Sequence, residues 1–203
     1  ALPLPADSET RCTKVAMIEY AKALALSALG RVSEAETQYR VFAAAKARVP
    51  ESRLLHNVRV LDLLEIATAM LDGELAYRKA EYDTAFKRLR DAVALDDALP
   101  YDEPWGWMQP TRHALGALLF EQGHHAKAEQ MFREDLGLAP GLPRACQHPD
   151  NVWALRGLYD CLIAQGKTAQ TAHIKLRLDL AQARADMPVK AACGCAQVAM
   201  GGA

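Results

Sequence analysis

Residues 110–140, PTRHALGALLFEQGHHAKAEQMFREDLGLAP, decide the fold of this chain. Leu115 and Gly116 lie ahead of a turn glycine, Gly123, and Ala128, Phe132 and Pro140 follow it at helical intervals. The pattern predicts two antiparallel helices joined at Gly123, because glycine takes the left-handed conformation that ends one helix and lets the chain reverse. Small side chains at Gly116 and Ala128 let the two helices approach, and Phe132 fills the groove beside a neighbouring hairpin. A single hairpin of this kind cannot bury its apolar face alone, so others must stack on it.

Working outward, the same spacing recurs. Gly30, Ala35 and Tyr39 are set apart as Gly123, Ala128 and Phe132 are, and Gly73, Ala80, Ala85 and Leu89 repeat the pattern with alanine at the turn. Gly166 opens a fourth, degenerate copy with Thr171 in the place of the small alanine. The expected hairpins cover about 8–50, 52–97, 110–140 and 151–186, with Asp7 and Ser8, Ser33 with Glu36, Ser52 and Asn151 as helix N-caps. Residues 98–109 and 141–150 lose the helical period and read as irregular linkers, and 188–203 reads as a flexible tail of small residues. The expectation is one all-α domain over 1–203, built of stacked antiparallel hairpins.

The chain has 203 residues, is 51% hydrophobic and carries a formal net charge of -1 with both signs interspersed. That balance suits a folded core and argues against a dedicated nucleic-acid surface or polybasic membrane attachment. Apolar runs fall far short of the roughly 20 residues that span a bilayer. The start, ALPLPADSET, has no initiator Met, basic region or apolar run, and reads as a piece of something longer. Five cysteines is an odd count, which argues against a disulfide framework and points to a cytoplasmic chain with free thiols, leaving room for one bridge.

The stretch 110–140 resembles the 34-residue tetratricopeptide repeat, W-x2-L-G-x2-Y…A-x3-F…P, with its two aromatic positions replaced by Arg112 and Leu119. Joined to the preceding linker, it also resembles a group of bacterial and fungal tetratricopeptide proteins that carry EP-x-W-x-x-P-x-R-x-x-LGA, matched by Glu103, Pro104, Trp107, Pro110, Arg112, Leu115, Gly116 and Ala117. HPDNVWALRGLYDCL and the Cys193-Gly194-Cys195 ending look like that group too. The resemblance implies a right-handed superhelical array whose longer members have further repeats upstream. It also implies that the first helix of each hairpin lines a concave groove. The groove positions in this chain include Tyr20, Tyr77, Arg78, His113, Trp153 and Arg156, a mixed aromatic and basic set suited to a peptide or an acidic tail of a partner protein; the alternative is that the long linker or the C-terminal helix folds into the groove and fills it.

Other features carry less. Trp105 and Trp107 sit in an acidic, proline-rich linker and are expected to pack into the core. Cys193 and Cys195 could chelate Cu or Zn as a pair of thiolates, but zinc takes about four ligands and histidines such as His113 or His148 would have to complete the set. A disulfide between cysteines so close is expected to be strained. His124 and His125 read as solvated, Cys161 as a small core residue, and Asp96, Asp97, Asp102 and Glu103 as a plain acidic stretch. No phosphate-binding loop, dinucleotide fingerprint, nucleophile elbow or zinc-protease motif is present. The expected function is therefore a protein-binding or scaffold module, with no catalytic residue and no cofactor. The alternatives are a metal-binding or redox protein using the C-terminal cysteines, and a structural cap on upstream repeats.

Overall fold

The computed structural model describes residues 11–194, and the chain divides into two compact units, 1–108 and 109–203. The first unit holds α1 (Cys12–Ala28), α2 (Val32–Lys46), a two-stranded antiparallel ribbon of β1 (Leu54–Leu55) and β2 (Val58–Arg59), α3 (Val60–Arg78) and α4 (Tyr82–Asp97). The second holds α5 (Thr111–Glu121), α6 (His125–Asp135), a single 3-10 turn at Arg144–Cys146, α7 (Val152–Ala164) and α8 (Thr168–Gln182). Among the described residues the regular elements are thus helices apart from one short ribbon, and they follow in the order α1–α2, α3–α4, α5–α6 and α7–α8.

The turn positions inferred from the sequence share one conformation. Gly30, Ala80, Gly123 and Gly166 all have positive φ, at 73°, 61°, 76° and 66°. In each case the amide after the turn residue reaches back five positions, as from Arg31 to the Leu26 carbonyl and from His124 to that of Leu119. This is the left-handed C-terminal cap that closes a helix and reverses the chain. Ala80 holds the shape without glycine, at a cost of about 1–2 kcal/mol for an L side chain in that region.

The small positions do what their size suggests. A Cβ added at Gly73 would stand 2.6 Å from Leu89 Cγ, and one at Gly116 would stand 2.6 Å from Phe132 Cζ. Gly157 on α7 faces the same ring, closer still, so Phe132 is clasped between two glycines of two hairpins. Ala35, Ala85 and Ala128 are fully enclosed, and Thr171 is buried with its hydroxyl donating to the Lys167 carbonyl at 2.9 Å. In the first hairpin the aromatic with no exposure to speak of is Phe42, while Tyr39 lies at its edge, ring centroids 6.2 Å apart.

Three expectations need correction. The helix expected from Ser52 begins at Val60, because residues 54–59 form a hairpin with Leu54 opposite Arg59, Leu55 opposite Val58, and His56 at φ 49°. A two-residue loop with positive φ suits a ribbon. Contacts from far along the chain hold it: the carboxylate of buried Asp102 accepts from the Asn57 amide at 3.4 Å, and Gly106 lies against Val58. Asp102 is thus not part of a plain acidic loop. Second, Ser33 lies inside α2 and caps nothing; its carbonyl accepts from the Thr37 hydroxyl. Asn151 is a true cap, its side-chain oxygen accepting from the amides of Trp153 and Ala154 at 2.9 and 3.1 Å. The proposed caps Asp7 and Ser8 lie outside the described residues. Third, the described part of the tail is packed: Val189, Ala191, Ala192 and Cys193 are buried, and the Gln182 side chain bridges the Met187 carbonyl and the Val189 amide.

The two linker tryptophans part company. Trp107 is buried and lies 5.8 Å from the Tyr20 ring, whereas Trp105 keeps 44% of its surface exposed. The peptide bond before Pro104 is cis.

Candidate functional site

In the first unit the expected groove residues are interior. Tyr20 projects from α1 between Phe42 and Trp107, with 4% of its surface exposed. Burial raises its phenol pKa well above the ordinary range, and the charge of Glu74 adds to the shift. Glu74 lies on α3, itself buried, with the Arg78 guanidinium 3.6 Å from its carboxylate. Arg78 also leans over the Tyr77 ring, 5.4 Å from its centre, and Tyr77 packs edge-on against Tyr82 and Phe86. Tyr20 and Arg78 therefore sit beside one buried carboxylate, and Tyr77 packs against Arg78. All three are enclosed within the unit and not displayed on a groove.

In the second unit His113 on α5 is buried and bonded, not displayed. Its Nε2 lies 2.9 Å from one oxygen of Asp135 at the end of α6, and His148 Nδ1 lies 2.8 Å from the other oxygen. The Asp135 backbone carbonyl also accepts from the His148 amide at 2.7 Å. Burial opposes ionisation of Asp135, yet the two imidazole hydrogen bonds and their charges outweigh it and hold the carboxyl below its usual range. The group clamps the irregular segment 136–150 onto the hairpin. Arg112 extends the polar seam, donating to Glu134 at 3.1 Å.

A second buried carboxylate was not anticipated. Glu129 on α6 accepts from Arg133 at 2.7 Å, from Gln165 at 2.7 Å and from Lys167 at 2.6 Å. It fastens α6 to the turn between α7 and α8. Apart from the i,i+4 pair of Glu129 with Arg133, the partners lie 13 to 38 residues away, where the sequence gives no local signal.

The remaining expected groove residues are displayed. Trp153 is 37% exposed at the start of α7. Arg156 pairs with Asp160 through two hydrogen bonds of 3.0 and 2.6 Å and leans over the Tyr159 ring. Desolvation raises the Asp160 pKa in spite of this partner. Ile163, 55% exposed, ends the row. Residues 153, 156, 160 and 163 are spaced by three, four and three, which places an indole, an ion pair and a branched aliphatic chain on one stripe of α7.

Of the expected metal pair, Cys193 is buried and engaged in a disulfide, and Cys195 lies outside the described residues. A disulfide sulfur is not a thiolate, so a Cu or Zn chelate there requires the reduced chain. Cys161 is a free thiol, and burial lifts its pKa to about 12, which leaves it an inert core residue. His113 and His148 do converge, but on a carboxylate that takes a proton-bearing nitrogen from each. Among the described residues no group of three or more His, Cys, Asp or Glu side chains is arranged to hold a metal. No described helix is long and apolar enough to cross a membrane.

Comparison with known proteins by family model, by sequence and by solved structure finds no match.

Proposed function

We propose that this chain is a tetratricopeptide-type interaction module that takes a peptide segment of a partner protein on the exposed stripe of α7. The observation that carries the reading is the row Trp153, Arg156, Asp160 and Ile163, which sets a half-exposed indole on the same stripe as a partly buried Arg–Asp pair. Aromatic and arginine side chains supply most anchors of protein interfaces, since they offer large area and directional hydrogen bonds at modest entropic cost. An apolar side chain of the peptide covers Trp153 and Ile163. A peptide carboxylate competes with Asp160 for the Arg156 fork, and neutralising Asp160 costs less because its pKa is already raised. The four hairpins with their shared left-handed turns support the repeat reading.

The test is a displayed peptide library panned on the intact chain, followed by calorimetry of the selected peptides on wild type, Trp153→Ala and Arg156→Glu. Selected peptides are expected to pair an apolar with an acidic residue and to lose about 2 kcal/mol of binding on either substitution. Peptides that bind all three proteins equally would exclude the α7 stripe.

A further inference from the structure

A second surface lies along α8. One cleft of about 670 Å³ runs between α6 and α8, lined by Arg133, Leu138, Gln170, His173, Ile174 and Arg177. A second of about 550 Å³ continues from Arg177 past Val152, Leu180 and Arg184. Arg177 belongs to both, so the two form one groove along α8, from residue 170 to residue 185. Its helical part, from residue 170 to Gln182, is about 18 Å long at 1.5 Å per helical residue, enough to seat about three turns of a partner helix.

The floor is apolar and open. Leu138 is 39% exposed and Leu180 61%, with Ile174 buried between them. The rim is basic. Its two carboxylates are already committed: Glu129 is saturated by Arg133, Gln165 and Lys167, and Asp150 pairs with Arg177 at 2.7 Å. Arg184 is exposed and forms no ion pair among the described residues, and neither does His173. An apolar floor between cations matches a ligand with leucine-like side chains flanked by carboxylates.

We infer that this groove docks an acidic, leucine-bearing segment of a partner protein. The surface is separate from the α7 stripe and does not depend on it. The segment lays its apolar side chains on Leu138, Ile174 and Leu180 and a carboxylate against Arg184, and its further carboxylates compete with Glu129 for Arg133 and with Asp150 for Arg177.

The probe is a labelled peptide of about 15 residues with leucine at every third or fourth position and glutamate on the flanks, titrated into the full chain by fluorescence anisotropy. Its binding is expected to weaken roughly tenfold in Arg184→Glu, in Leu180→Asp and on raising the salt, and to be unchanged in Trp153→Ala. Among the described residues Arg184 has no ion-pair partner to lose, so Arg184→Glu tests the rim without disturbing the fold, which circular dichroism verifies. The inference fails if the glutamate peptide does not bind, if a lysine-for-glutamate peptide binds equally well, or if Arg184→Glu has no effect. It also fails if sedimentation shows a dimer that Leu180→Asp dissociates, since the groove then belongs to a second copy of the chain.

Discussion

Asp135 shows how a single buried charge is held. Desolvation alone would drive its carboxyl to neutrality, but hydrogen bonds from His113 and His148 reverse the balance and depress its pKa. A carboxyl whose folded pKa lies below its unfolded one stabilises the protein above the ordinary carboxylate range, and the contribution is lost as pH falls through the folded value. Asp135→Asn keeps the shape and removes the charge, and is expected to cost about 1.5–3 kcal/mol at neutral pH. It should also flatten the loss of stability below about pH 4 that wild type shows. Urea unfolding of both proteins as a function of pH measures both effects. Equal acid slopes would mean that Asp135 is not the group being titrated.

Among the helices, the decisive contact is Phe132 between Gly116 and Gly157. Replacing glycine by alanine within a helix ordinarily gains about 1 kcal/mol. At Gly116 the new methyl meets the ring at 2.6 Å, and overpacking of that kind costs about 1–3 kcal/mol, so the clash wins. Gly116→Ala is expected to be destabilising, Phe132→Leu to be destabilising through the lost ring, and the double variant to be better than the sum by about 1 kcal/mol. A double-mutant cycle in urea gives the coupling directly. Strict additivity would show that the ring and the glycine do not share one space.

At the scale of the molecule, each unit carries its own core. Phe42, Leu64, Leu71 and Leu89 are enclosed in the first, and Phe132, Leu155, Leu158 and Leu162 in the second. Two cores allow local unfolding in separate cooperative blocks. Phe132→Ala should cost about 3–5 kcal/mol in its own unit. Hydrogen exchange read by mass spectrometry is expected to show faster exchange across 111–182 and unchanged protection in α1 to α4. Equal loss of protection throughout would show one cooperative block.

The sequence by itself determined the helical class and the places of the turns. Gly30, Gly123 and Gly166 were legible because a left-handed cap restricts residue type at one place, Ala80 was placed by its spacing alone, and the glycine–aromatic spacing was legible because helix packing repeats with the helix period. The start of α3 was not legible. Residues 54–59 have a helix-compatible composition, and the ribbon they form depends on Asp102 and Gly106 more than 40 residues later. The display of the expected groove residues divided for the same reason. Tyr20, His113 and Arg156 each stand ten residues before a turn glycine, yet Trp107 covers Tyr20 and Asp135 takes His113 inward. Local spacing sets which way a helix residue leaves the backbone; only the tertiary structure decides what stands in front of it, because burial is made by partners distant in the chain.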